Sequence, residues 1–353
     1  VAQPSETPVS VPGEQVRRSL GAGRRLAFLG SLLGSAALLV VGLIWAVSIG
    51  TEDVGLDTIL SSAFSYDASS AQESIVRLIR LPRAILAAVV GACLGVAGVI
   101  LQGITRNPLG APEILGVNAG AAFAVGTTTA LWRTLDVPVV WLAFLGAAAA
   151  MSLVFLMAYF SRGGLNPVRL ALAGVTISVL LLSVMQGVLL LDVETQQSIY
   201  FWLVGGVNYG AWADVRTILP WLAIGTVLSF VLAGRLNLLA LGEDVARGLG
   251  QNVGRTRLLG ALAVILLAGS AVGVAGPITF IGLIVPHIVR RLVGVNHYRL
   301  LPVCAVLGAT LFVYADIASR YVNAPFETPA GVVTGLVGAP VFIYLARREK
   351  MRG

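Results

Sequence analysis

Side chains capable of acid–base, nucleophilic or metal chemistry are scarce in this sequence. Its 353 residues include two histidines, His287 and His297, and two cysteines, Cys93 and Cys304. Both cysteines lie in apolar runs and indicate no disulfide framework. Such a small set argues against ligation of haem iron by this chain. It also leaves little from which to build a catalytic centre, so an enzyme is the weakest interpretation.

Nucleotide and ion chemistry also lack the residues they need. A P-loop places a lysine after its glycines so that the ammonium group reaches the phosphates, and the only lysine is Lys350, near the C-terminus. Acidic residues at the centre of a membrane span mark proton and ion pathways, but Asp316 and Arg320 lie towards one end of an apolar run. If the chain takes part in active transport, we therefore expect the energy to enter through another subunit. Proton- or sodium-coupled transport is disfavoured, although coupling through Na⁺ bound by backbone groups stays an alternative.

The composition indicates which kind of secondary structure holds these few reactive side chains. Hydrophobic residues make up 57% of the chain and charged residues 12%, against roughly 25% charged in soluble domains. Continuous apolar runs predict helices rather than the alternating strands of a membrane β-barrel, and a span needs about 20 such residues. The sequence therefore predicts an all-α membrane protein of about ten transmembrane helices. These spans are predicted at 26–50, 81–104, 114–132, 137–160, 167–191, 215–236, 257–276, 278–293, 300–318 and 328–346.

The distribution of charge predicts the orientation of the spans. Cytoplasmic loops carry an excess of Lys and Arg. With a cytoplasmic N-terminus, 18 of the 24 basic residues fall on the cytoplasmic side and 11 of the 17 acidic residues on the opposite side. We therefore place both termini in the cytoplasm, with a disordered tail over 1–25, a ten-span domain over 26–347 and a short tail over 348–353.

The cytoplasmic loop between the sixth and seventh spans, at about 238–252, has a helical pattern. Leu241, Val245 and Leu249 recur at four-residue spacing and would share one face of a short helix. Gly248 and Gly250 suit the end of that helix. An amphipathic helix of this kind can bind in a groove of a partner protein. Periodicity alone leaves a second interpretation open, in which the helix lies on lipid headgroups.

Several motifs, taken together, resemble the FecCD-type permease family of ATP-binding-cassette importers, which take up ferric siderophores, haem or cobalamin. The resemblance covers roughly residues 26–347 and includes the loop at 242–249. The other motifs are RLPR at 80–83, RNPLGAPEILGVNAGA at 106–121, GPITFIGLIVPH at 276–287 and GAPVF at 338–342.

The resemblance implies a type II importer permease in the bacterial cytoplasmic (inner) membrane, working by alternating access. It implies a dimer with a second permease copy or a paralogue. Two cytoplasmic ATPase subunits would hold ATP and Mg, and this chain would bind no cofactor directly. An extracytoplasmic binding protein would deliver the substrate. The lipid bilayer surrounds the permease, and no nucleic-acid partner is expected.

The resemblance also assigns roles to individual residues. They are Leu241, Gly242, Glu243, Asp244, Val245, Arg247 and Leu249 for coupling to the ATPase; Asn107, Leu109, Pro167 and Val168 for the cytoplasmic gate; and Arg80, Arg83 and Arg320 for docking of the binding protein. The residues alone leave other interpretations open. The segment 107–109 also fits a plain tight turn, because Pro108 restricts the residue before it, and the arginines also fit anchors to lipid headgroups.

The substrate most consistent with the 105–121 pattern is a ferric siderophore, ahead of haem and then cobalamin. At the second gate, Asn166, Pro167 and Val168 replace the small hydroxyl residues of the cobalamin member, which weakens the case for cobalamin. An ion-coupled secondary transporter working alone remains the alternative from another class.

Overall fold

Helices form wherever the sequence carries a long apolar run. A backbone that crosses lipid must satisfy its hydrogen bonds internally, which favours helices. The computed structural model describes residues 12–50, 54–67, 69–132, 137–160, 167–323 and 326–350. Within these ranges the chain forms helices joined by short connections, and they contain no β-strand. The all-α prediction is confirmed.

The helices of the described residues are numbered in chain order. They are α1 (Pro12–Ser48), α2 (Leu56–Phe64), α3 (Ala71–Ile75), α4 (Leu81–Thr105), α5 (Val117–Leu131), α6 (Val139–Phe160), α7 (Pro167–Leu189), α8 (Val193–Val204), α9 (Trp212–Leu239), α10 (Glu243–Gly248), α11 (Val253–Val264), α12 (Ser270–Ala275), α13 (Ile281–Val293), α14 (His297–Val322) and α15 (Ala330–Lys350). Two π-helical turns, Val76–Arg80 and Ile265–Gly269, join α3 to α4 and α11 to α12, and a 3₁₀ turn covers Pro112–Leu115.

Each predicted span has a helix at its position in the structure. In the described part of the chain, seven helical segments are long and apolar enough to cross a membrane by length and composition. The helices at the third, eighth and tenth predicted spans fall outside that set. α5 has 15 residues and α13 has 13, while the apolar part of α15 covers Ala330–Tyr344. The count of about ten spans is therefore approximate.

The two ends of the chain differ from the predicted tails. α1 begins at Pro12 and so overlaps the predicted tail over 1–25, whose disorder stays a prediction; residues 1–11 lie outside the described part. Proline fits the first turn of a helix because its missing N–H would be unpaired there anyway. α15 continues to Lys350, so the predicted tail at 348–353 begins with helix, and its last three residues are not described.

α4 is the most enclosed span of the bundle. In the segment that contains it, 83% of the most apolar window is buried, against 11% in α1. A side chain at Gly91 of α4 would collide with the backbone of Gly308 in α14, and one at Gly98 with the backbone of Gly282 in α13. Small residues allow such close approach between membrane helices. α4 therefore connects the outer end of the bundle to the turn that follows Thr105.

Candidate functional site

The predicted amphipathic helix in the cytoplasmic loop exists as α10. α9 ends at Leu239, and the backbone reverses at Gly242, with φ +125°, before α10 begins at Glu243. A second reversal at Gly250, with φ +79°, leads into α11. Positive φ angles of this kind favour glycine because it has no Cβ. The two glycines thus set the position of α10 between two long helices.

α10 has one buried side and one exposed apolar side. Ala246 is fully buried and packs with Leu239 of α9 and Val253 of α11. Leu241, in the turn after α9, Val245 in α10 and Leu249, directly after α10, have exposed fractions of 66%, 49% and 62%. The reversal at Gly242 separates Leu241 from the helix, so only Val245 and Leu249 follow one helical turn; the coupling role of all three stays a prediction.

The two acidic residues at the start of α10 differ in their surroundings. Asp244 is exposed, whereas Glu243 turns towards α11. Its carboxylate accepts from Arg247 Nη2 at 2.6 Å and from Arg257 Nη2 at 2.9 Å. The Arg247 side chain is 63% exposed and the Arg257 side chain 11%. The stronger anchor of Glu243 is therefore a buried arginine that the sequence patterns did not single out.

Gln251 provides a second anchor that sequence reasoning missed. Its backbone N–H donates to Ala246 O at 3.0 Å. Its side-chain amide donates to Arg235 O at 3.1 Å and to Thr256 Oγ1 at 3.0 Å. Because these bonds join α9, α10 and α11, the segment at 240–252 is a hydrogen-bonded structural unit rather than a free connection.

The predicted gate begins with a well-formed helix end. Arg106 adopts a left-handed conformation, with φ +51°, directly after α4. Asn107 Oδ1 accepts from the Leu109 N–H at 3.0 Å, and Gly110 N–H donates to Asn107 O at 3.0 Å. The segment is thus a tight turn, as its own sequence predicted.

This turn also borders a cavity of about 130 Å³. Thr105, Asn107 and Leu109 line it together with Leu170 of α7 and Phe342 of α15. Val168, the predicted partner from α7, is 64% exposed and is not among the lining residues of this cavity. Pro167 begins α7, but its side chain lies outside the described part. The structure therefore brings Asn107 and Leu109 to the cavity with Leu170, two positions beyond Val168.

Glu113 connects the gate segment to the start of α13. Its Oε1 accepts from the Phe280 N–H at 3.1 Å, and Phe280 has φ +70° at the N-terminal end of α13. Desolvation raises the pKa of the Glu113 carboxyl above its ordinary value, and the hydrogen bond from Phe280 offsets part of this effect. The bond joins the connection after α4 to a helix far away in the sequence.

The three arginines predicted to dock a binding protein lie inside the bundle. Arg83 donates through Nε and Nη2 to Asp316, which is 1% exposed, and through Nη1 to Glu327. Arg320 Nη2 donates to Asp316 at 2.7 Å. Arg80 Nη1 donates to the carbonyls of Val47 and Ser48, and Arg320 Nη1 donates to those of Ala46 and Ile49.

The three guanidinium groups are therefore largely enclosed by the chain. Arg80 and Arg83 are 6% and 5% exposed. Arg80 and Arg320 donate to carbonyls at the end of α1 that have no partner within that helix. The accessible group of this cluster is Glu327, whose side chain is 52% exposed and which also accepts from Asn208 Nδ2. A docking role for the arginines stays a prediction.

Long apolar helices packed into one bundle, seven of them in the described residues long enough to cross a membrane, define a multi-span membrane protein. The FecCD transport family profile matches residues 38–348, and the chain belongs to this family. It is a multi-pass permease of the bacterial cytoplasmic membrane. The family suggested by the sequence motifs is thereby confirmed.

Individual relatives agree with this assignment. The chain is 45% identical over 321 residues to the iron(3+)-hydroxamate import system permease FhuB of Bacillus subtilis, covering 90% of this chain and 83% of the relative. It is 41% identical to the Fe(3+)-citrate import system permease YfmD of Bacillus subtilis, covering 89% and 93%. A solved inward-facing structure of a metal-chelate type ABC transporter superposes with a TM-score of 0.79 at 31% identity, covering 90% of this chain and 98% of that one.

Proposed function

We propose that this chain passes ferric siderophores into the cytoplasm as the permease subunit of an ATP-driven importer. The observation that carries the proposal is the set of exposed apolar side chains in and beside α10, which are Leu241, Val245 and Leu249. A rigid cytoplasmic helix with such a face suits a groove on an ATPase subunit. The relatives named for ferric hydroxamate and ferric citrate support chelated iron as the cargo.

The working assembly contains two permeases, two ATPase subunits and an extracytoplasmic binding protein. ATP and Mg are held by the ATPase subunits, and the permease binds no cofactor of its own. The proposed ATPase-binding surface includes Gly242, Asp244 and Arg247 in addition to the exposed apolar side chains in and beside α10. The second permease is either another copy or a paralogue, and a closed two-fold arrangement is the commonest way to pair such subunits.

The cavity beside the turn at 107–109 supports a cytoplasmic gate there. Asn107 and Leu109 form its α4 side, and we assign its α7 side to Leu170 and Ala171, which line the same cavity. Pro167 and Val168 begin α7 and help to set its direction. A gate of this kind would open as α7 and the end of α4 separate.

Uptake in reconstituted vesicles tests the proposal. The permease, its ATPase and its binding protein are placed in proteoliposomes. Iron-labelled ferric hydroxamate, ferric citrate and haem are offered in separate experiments, and cobalt-labelled cobalamin in a fourth. We expect uptake of the hydroxamate or citrate chelate that requires ATP and stops with vanadate. Uptake of haem or cobalamin alone would replace the substrate assignment.

A second arm addresses the rival class of transporter. The permease alone is reconstituted and given a sodium or proton gradient without an ATPase. Chelate uptake under these conditions would overturn the ATP-driven mechanism and favour a secondary transporter. The expected result is no accumulation above that of protein-free vesicles.

A further inference from the structure

The last turn of α4 contains a carbonyl, Ile104 O, that accepts a hydrogen bond from a side chain of another helix. Asn107 N–H donates to Gln102 O at 3.2 Å, and Arg106 N–H donates to Gly103 O at 3.4 Å. This pair of bonds, with Arg106 left-handed, is a Schellman motif. The next carbonyl, Ile104 O, accepts instead from Arg257 Nε of α11 at 3.3 Å.

The two terminal nitrogens of the same guanidinium group contact α10. Arg257 Nη2 donates to Glu243 Oε2 at 2.9 Å, and Nη1 lies 3.4 Å from Glu243 Oε1. The planar fork of arginine allows two such directions of hydrogen bonding at once. One buried side chain therefore touches both the first residue of α10 and the last turn of α4.

Close packing of α11 against α4 surrounds the contact between Arg257 and Ile104 O. Gly260, one turn beyond Arg257, packs directly against the Ile104 side chain, so α11 and α4 lie close together at this level. Ile104 itself is 2% exposed, and the next residue, Thr105, lines the cavity beside the gate turn. A cation also interacts favourably with the carbonyl end of a helix.

From this geometry we propose that Arg257 is a positioning residue that ties the ATPase-facing helix α10 to the gate turn at 106–109. Movement of α10 is transmitted by the Glu243–Arg257 pair to Ile104 O, one residue from the cavity. The inference rests on the proposed function, since it requires an ATPase that moves α10. A purely structural role would hold α10 in place without linking it to the gate.

The test separates coupling from folding. Arg257→Gln and Glu243→Gln are each reconstituted with the ATPase and the binding protein, and iron transported per ATP hydrolysed is measured. We expect each variant to retain the ATPase subunit and to transport at least fivefold less iron per ATP. The double variant should transport little less than the worse of the two single variants, because both changes break the shared Glu243–Arg257 pair. Arg257→Lys, which keeps the charge without the fork, should fall between wild type and Arg257→Gln.

A second readout responds to gate motion. Leu109→Cys is introduced as a probe, since the native Cys93 and Cys304 are fully buried, and its reaction rate with a water-soluble thiol reagent is measured with and without ATP and vanadate. The nucleotide-dependent change in rate should be present with native Arg257 and lost with Arg257→Gln. Arg255→Gln removes an exposed charge from the same helix and should preserve both readouts.

Three outcomes would overturn the inference. The first is an unchanged ratio of iron transported to ATP hydrolysed in Arg257→Gln. The second is a nucleotide-dependent change in the reaction rate of Leu109→Cys that persists when Arg257→Gln is also present. The third is loss of ATPase binding in the Gln variants, which would make Arg257 an anchor of the fold only. Failure of the proposed function is distinguishable, because the wild-type complex would then show no ATP-dependent uptake at all.

Discussion

Arg83 and Asp316 form a buried ion pair although 233 positions separate them in the chain. Arg83 approaches the carboxylate with two nitrogens, at 3.2 Å and 3.0 Å from Oδ1, and their side chains are 7% and 1% exposed. The pair joins α4 to α14 at the outer end of the bundle. Charges held in so little water are strongly coupled, and loss of one leaves the other without solvation.

The first prediction concerns this pair. Arg83→Gln leaves Asp316 with Arg320 as its remaining charged partner, and we expect a loss of about 3 kcal/mol in stability, as for other broken buried pairs. Thermal unfolding in detergent measures the change. Asp316→Asn added to Arg83→Gln should recover part of the loss, because it removes the buried charge.

Arg216→Gln is the matched control, since Arg216 is exposed, and its unfolding temperature should stay near that of wild type. Equal unfolding temperatures for Arg83→Gln and Arg216→Gln would contradict the first prediction. The same reasoning makes the double variant Arg80→Glu and Arg83→Glu unsuitable as a test of docking. It would place acidic groups against Asp316 and helix carbonyls, and we expect poor assembly rather than a selective loss of binding.

The second prediction concerns the exposed face of α10. Leu241→Asp should reduce affinity for the ATPase subunit at least tenfold, about 1.4 kcal/mol, because a charge would enter an apolar contact. Binding of the purified ATPase to nanodisc-embedded permease measures the effect. Val295→Asp changes a residue that is 69% exposed in the connection between α13 and α14 and serves as the control. If Leu241→Asp binds the ATPase like wild type, the face has another role, such as contact with lipid headgroups.

The third prediction concerns close packing around α4. Gly91→Ala would drive its new methyl group into the backbone of Gly308, so α4 and α14 must separate. We expect a clear drop in the unfolding temperature, within the 1–3 kcal/mol typical of overpacking. Gly187→Ala in α7 meets no atoms within 4 Å and should be neutral or slightly stabilising, since alanine favours helices by up to about 1 kcal/mol. The prediction fails if both variants unfold at the same temperature.

The fourth prediction concerns the bond between Glu113 and α13. Glu113→Gln keeps an oxygen that can accept from the Phe280 N–H and removes a charge that desolvation disfavours. We therefore expect wild-type stability for Glu113→Gln and a loss of about 1 kcal/mol for Glu113→Ala, the usual contribution of one hydrogen bond. Unfolding of both variants in the same detergent compares them. Equal destabilisation by Gln and Ala would show that the charge, rather than the acceptor, matters.

The features predicted correctly from sequence are those set by local patterns. A span depends on a run of apolar residues, and the short helix α10 lies within the predicted loop segment, so both appear in the sequence itself. α5 and α13 begin three residues later than the predicted spans, because each follows a turn with a positive φ angle, at Gly116 and at Phe280.

Long-range pairing has no such local signal. The sequence indicates that Arg80 and Arg83 lie at the start of the second apolar run, but only the fold shows that α1, α14 and Glu327 surround them. Arg257 appeared as one of many cytoplasmic arginines, since nothing in its neighbourhood indicates Glu243 or the carbonyl of Ile104. At the cavity, Leu170 replaces the predicted Val168 because the rotation of α7 about its axis is decided by packing against neighbouring helices.

The glycines that bracket α10 have an evolutionary consequence. Gly242 and Gly250 adopt backbone angles that other residues rarely tolerate. Substitution of either glycine would therefore displace α10. Leu241, Val245 and Leu249 have no such restriction and stand in open space. Under the proposed function, substitutions at these three side chains would alter which ATPase surface the loop fits while the backbone shape that presents them stays the same.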